Sequence, residues 1–98
     1  MQIKSVLHNI NFEWDAKKAA ANLRKHNISF ELAREAFFDP FVLYIEDEIL
    51  DGELRETIIG LTTGWHLLYV VYVLRNETIR IVSARTVTNI ERELYENK

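Results

Sequence analysis

Cysteine is absent from the chain, so no disulfide, thiolate metal site or cysteine nucleophile is available. Stability must come from packing, and the absence fits a reducing compartment. Glycine occurs only at Gly52, Gly60 and Gly64, and none stands in the arrangement that cradles a nucleotide phosphate. His8, His26 and His66 are isolated, without H-x-x-x-H or H-E-x-x-H spacing, so the sequence offers no metal-ligand set. The acidic run from Glu46 to Glu53 shares only its composition with a calcium loop, because the ligand spacing and terminal glutamate do not match. The longest wholly apolar run, Leu67 to Leu74, has eight residues, too few to span a bilayer, and no basic leader-like segment precedes it. The expectation is a cytoplasmic protein with no membrane span, metal or cofactor.

Ninety-eight residues with 48% hydrophobic content suit one domain over 1–98, large enough to bury a single core. A net charge of −3 argues against a nucleic-acid binder, since lysine and arginine make the phosphate contacts that dominate affinity. The average conceals a segregation. Glu46 to Glu56 holds six acids and one base, which leaves a net charge of +2 for the rest of the chain and permits a basic surface there.

Local signals predict an α+β fold. Asp15 can cap a helix over Ala16 to Lys25, His26 ends it, and Asn27 suits the left-handed position beyond. Ser29 can cap a second helix with Phe30, Ala33 and Phe37 at helical spacing, which Asp39-Pro40 terminates. An N-terminal helical hairpin is expected. After Pro40 the period becomes two, giving a strand over Phe41 to Glu46, an acidic loop turning at Asp51-Gly52, and strands at Arg55 to Thr62, Trp65 to Arg75 and Thr78 to Arg85. Thr63-Gly64 and Asn76-Glu77 read as two-residue turns, so the sheet of about four strands should be antiparallel. Thr88-Asn89-Ile90-Glu91 has the form of a capping box and opens a C-terminal helix.

Two-residue turns fix a register by counting. Arg55 would face Tyr72, Tyr72 would face Ile81, and Leu68 would face Arg85, which gathers Arg55, His66, Tyr72 and Arg85 on one side of the sheet and turns Arg80 to the other. On the first helix Lys18, Asn22 and Lys25 form one polar stripe with His26 beside its end. Such a stripe is also what the wet face of any amphipathic helix looks like. Trp14 and Trp65 read as core or staple residues before base-stacking platforms.

The run Phe12-Glu13-Trp14-Asp15, followed by Lys18, Asn22, Lys25 and His26, then Phe30, Ala33, Arg55, Gly60 and Arg80-Ile81-Val82-Ser83-Ala84-Arg85, with Glu91 and Tyr95 closing, resembles the BrnT family. These are the toxin halves of bacterial type II toxin-antitoxin systems. The likeness spans about Phe12 to Tyr95, with Ala16 where the family usually has proline and Asn27 where it usually has glycine. It implies a fold similar to RelE-type toxins, metal-independent RNA cleavage that halts translation, and neutralisation through a hetero-oligomer with a BrnA-like antitoxin.

Metal-free cleavage of RNA requires a base for the attacking 2′-OH, cations for the charge that develops at phosphorus, and an acid for the departing 5′-oxygen. With that activity in view, Arg55 and Arg85 are assigned to the phosphate and Lys18 and Lys25 to its neighbours. His26 is the leading acid/base candidate, because imidazole titrates near neutrality, with His66 second. Tyr95 would donate a proton or orient a partner, and Arg80 is either part of the set or a surface cation. Glu91 is assigned to capping. The rival reading is a non-catalytic RNA- or protein-binding module, or a degenerate toxin of the same fold.

Overall fold

Phe12 and Trp14 alternate with Asn11, Glu13 and Asp15, which is the period of a strand, and in the computed structural model, which describes residues 1–97, a strand is what they form. The chain opens with β1 (Gln2–Leu7) and β2 (Ile10–Asp15), an antiparallel hairpin turning through His8 and Asn9 at positive φ. Then come α1 (Ala16–His26), α2 (Phe30–Glu35) and a 3₁₀ turn over Ala36–Phe38. β3 (Leu43–Leu50), β4 (Glu53–Leu61), β5 (Leu67–Arg75), β6 (Thr78–Thr86) and α3 (Asn89–Glu96) complete it.

The expected N-terminal helical hairpin over four antiparallel strands is thereby corrected. The sheet has six strands in the order β1-β2-β6-β5-β4-β3, and it is mixed, because β2 runs parallel to β6 while every other neighbouring pair is antiparallel. Two physical reasons hid this. The β1–β2 turn lacks the glycine that usually marks positive φ, and the β2–β6 pairing joins residues more than sixty positions apart, such as Glu13 with Arg80. The acidic segment is also strand. Its turn falls at Asp51-Gly52 as expected, both at positive φ, but Asp47 to Leu50 pair with β4 as an edge strand.

The helix signals hold. Asp15 accepts from the Lys18 amide, Ser29 from the Leu32 amide, and Asn27 takes the left-handed conformation at φ 58°. Thr88 and Glu91 form the capping box of α3. α1, α2 and the 3₁₀ turn pack on one face of the sheet, closing a core of Phe12, Trp14, Phe30, Ile58, Val70 and Ile81. Burying each large apolar side chain contributes about 1.5–3 kcal/mol. Gly60 lets the 3₁₀ turn press onto β4, since a Cβ there would lie 2.2 Å from the Ala36 carbonyl oxygen.

Register departs from the count in two places. Leu61 pairs with Leu67, so the β4–β5 connection runs through Thr62 to His66 rather than two residues, closed by the His66 amide donating to Thr62 Oγ1. Asn76-Glu77 is the expected two-residue turn, with Arg75 opposite Thr78, but β6 bulges at Val82: Tyr72 faces Ile81 while Val71 faces Ser83. Among the described residues no helix is long and apolar enough to cross a membrane.

Candidate nucleic-acid interface

β2 and β6 part company after Glu13 and Arg80, where the chain turns from β2 into α1. Beyond that point β6 has a free edge, and α1 lies along it. In an antiparallel pair a residue's N–H and C=O point to the same side. At Ala84 both groups meet one side chain: Asn22 Nδ2 donates to the Ala84 carbonyl at 2.8 Å and Asn22 Oδ1 accepts from the Ala84 amide at 3.1 Å. A further bond from Asn22 Nδ2 to the Ile28 carbonyl at 2.9 Å ties in the loop after α1. The buried Asn22 thus stands in for a missing neighbouring strand, and it fixes the helix against the sheet.

This seam holds a cleft of about 230 Å³ lined by Lys18, Lys25 and His26 of α1 and by Val82 and Ser83 at the bulge. α1 carries Lys17, Lys18, Arg24, Lys25 and His26 and no acid within its span. Among the described residues Lys18 and Lys25 form no ion pair. They are exposed, yet their backbone is held by Asn22, so their charge is both available and positioned.

The face of the sheet opposite α1 and α2 presents the arginines. Arg80 faces Val73, and continuing the β4–β5 register by one residue sets Arg55 on the other side of Val73. Across two strand spacings their backbones are about 10 Å apart. Past the bulge, Ser83 faces Val71 and Arg85 faces Tyr69, so Arg55, Arg80, Ser83 and Arg85 share this face while Tyr72 belongs to the opposite one. The arginines differ in commitment. Arg80 is bound to Glu13 at 2.8 Å, whereas Arg55 Nε is buried without a hydrogen-bond partner. Arg85 grips both oxygens of Glu91 at 2.8 Å and lies 4.0 Å from the centre of the Tyr69 ring. That bidentate bond raises the Arg85 pKa and holds the Glu91 carboxyl below its ordinary value of 4.5.

Tyr95 anchors α3 by donating to Asp39 Oδ2, and Asp39 also accepts from the Phe41 and Leu61 amides. Burial, then the bond to Asp39, pushes the Tyr95 hydroxyl up to about 12, so it stays protonated. His66 is exposed in the β4–β5 connection. The structure therefore brings Lys18, Lys25 and His26 together at the cleft, sets Arg80 and Arg85 on either side of it along β6, and places Arg55 two strands away on the same face. His66 and Tyr95 lie elsewhere.

A family model described as ribonuclease toxin, BrnT, of type II toxin-antitoxin system matches residues 14–91. The chain belongs to the BrnT family. Among solved structures, the Brucella abortus ribonuclease toxin BrnT, known at 1.1 Å resolution, has a similar fold. The two are 21% identical, with a TM-score of 0.51 over 78% of this chain and 94% of that one. Comparison with curated proteins gives no match. This BrnT protein is accordingly a ribonuclease toxin of a type II toxin-antitoxin system, for which RNA is the target and an antitoxin protein the partner.

Sequence reasoning did not single out Ser83, nor the part Asn22 plays. A signal for Asn22 existed. Asparagine is a poor residue for a helix interior unless its amide has a partner, and Asn22 sits between residues that favour helix.

Proposed function

We propose that the protein cuts single-stranded RNA by metal-independent transesterification, with the phosphate backbone running from the α1–β6 cleft onto the arginine face. The observation that carries this reading is the meeting, at one seam, of the unpaired Lys18 and Lys25 with His26 and the bulge residue Ser83. Lys18 and Lys25 hold flanking phosphates, and Arg55, whose Nε has no protein partner, takes the scissile one. Arg80 and Arg85 shape the field around it while held by Glu13 and Glu91.

In the step itself His26 accepts the proton of the 2′-OH, the 2′-oxygen bonds to phosphorus, and the bond to the 5′-oxygen breaks. The departing oxygen takes a proton from solvent or from the imidazolium. A 2′,3′-cyclic phosphate and a free 5′-hydroxyl result. Cations fixed before the reaction stabilise the charge gathering on the non-bridging oxygens without reorganising. In the cell the outcome is lost messenger RNA and halted translation in the cytoplasm, relieved when a BrnA-like antitoxin binds to form a hetero-oligomer.

The test is incubation of the purified protein with a single-stranded RNA in excess EDTA, with the ends of the products identified. Cyclic phosphate ends at an undiminished rate are expected. Activity that disappears on chelation and returns with a divalent cation would overturn the metal-independent step.

A further inference from the structure

On the far side of the sheet from the cleft, β3 is an edge strand, and every residue from Glu46 to Leu50 is exposed. Its outward N–H and C=O groups have no neighbouring strand, which makes them a template for another one. Beside it runs a groove of about 590 Å³ between Leu43–Ile45 of β3 and Ile90 and Leu94 of α3. The apolar side chains there are conspicuously wet: Tyr44 is 69% exposed and Ile90 73%. A bulge between Tyr44 and Asp47 divides the edge into an apolar stretch and an acidic one. Glu46, Asp47 and Glu48 form no ion pair among the described residues.

We infer that this edge and groove are the docking site for an extended, basic segment of the antitoxin, which adds to the sheet beside β3. The inference rests on the toxin reading for the existence of that partner. Main-chain hydrogen bonds to the edge supply affinity, and side pockets supply specificity. Here the segment would set apolar side chains over Tyr44, Ile90 and Leu94 and follow them with lysine or arginine opposite the acids. Charge selects the occupant. A second copy of the chain, pairing edge to edge about a two-fold axis, would bring the same acids against one another. RNA and anionic membranes are repelled by the same charge. Acids alone serve to keep like edges apart, but the exposed apolar groove beside them works against that end and favours a partner.

The test measures binding of the antitoxin encoded with this chain by calorimetry, and maps it by hydrogen exchange. Amides of Leu43 to Leu50 should become protected. The double variant Glu46→Lys with Asp47→Lys, and separately Ile90→Glu, should weaken binding by about tenfold or more while cleaving RNA at the parental rate. Variants that cleave normally and bind within about twofold of the parent overturn the docking site and leave the nuclease reading untouched. So does protection confined to the α1–β6 cleft, a parent chain that fails to bind the antitoxin, or self-association through β3. A parent chain that binds through β3 yet cuts no RNA sinks the nuclease reading and keeps the docking site.

Discussion

The seam between α1 and β6 and the arm formed by β3 and the start of β4 are opposite in almost every respect. At the seam a buried asparagine closes the sheet edge against a packed core, and among the described residues Lys18 and Lys25 above it form no ion pair. On the arm nothing from Glu46 to Leu50 is buried, the charge is negative, and the backbone edge is unpaired. A net charge of −3 is the average of these two surfaces and describes neither. The difference teaches that rigid, available cations suit developing charge on a phosphate, whereas a wet, unpaired edge suits a partner that brings its own order.

The sharpest way to break the comparison is Arg55→Ala. If its guanidinium, whose buried Nε has no hydrogen-bond partner, meets the scissile phosphate, single-turnover cleavage should fall by roughly 100- to 1,000-fold, equivalent to about 3–4 kcal/mol, with the urea midpoint little changed. A correctly folded variant cutting at the parental rate removes Arg55 from the site. Asn22→Ala attacks the seam's architecture instead. It leaves the amide and carbonyl of Ala84 and the carbonyl of Ile28 unsatisfied, and urea denaturation should show a loss of about 2–4 kcal/mol. An unchanged midpoint would mean that water replaces the side chain at no cost.

Lys18→Ala with Lys25→Ala tests the free cations without touching the core. The slope of log affinity for single-stranded RNA against log salt should become shallower by about 1.4, since each lost phosphate contact contributes about 0.7, while stability holds. A slope equal to the parent's would show that the backbone runs elsewhere. The mildest effect belongs to the committed pair Arg85–Glu91. Arg85→Ala should cost about 1 kcal/mol near neutral pH, a half-buried bidentate pair being worth somewhat more than an exposed one. Because Glu91 is held below its ordinary 4.5, this stability exists above that value and is lost as pH falls through the lowered folded pKa. The variant's acid-denaturation curve should therefore be flatter below about pH 4.5 than the parent's, and two superimposable curves would deny the pair any role in stability.

The sequence was most legible where signals were local. Both capped helices, the turn at Asp51-Gly52 and the capping box of α3 stood in the residues themselves, because a cap or a positive φ is decided within four positions. The arginine face is more instructive. Counting across two-residue turns put Arg55 and Arg85 on one side together with Tyr72, and left Arg80 on the other. The longer β4–β5 loop moves Arg55 to the opposite face from Tyr72, and the bulge at Val82 moves Arg85 likewise. Two one-residue errors cancel for that pair, and the correct register brings Arg80 to the same side. The core was partly visible too: Phe30 and Ala33 are fully buried as their spacing implied, but Trp65, read as a core or staple residue, is 83% exposed.

What the sequence determined by itself is the family, the helix starts and the supply of cations on α1, since each is written in contiguous residues. Only the tertiary structure decided which cations are free. Whether Arg80 and Arg85 are available depends on Glu13 and Glu91, and whether α1 meets β6 depends on Asn22 finding Ala84 sixty-two positions away. A hydrogen bond across that separation is set by parallel pairing, a bulge and a packed core acting together, and no local pattern encodes such a sum.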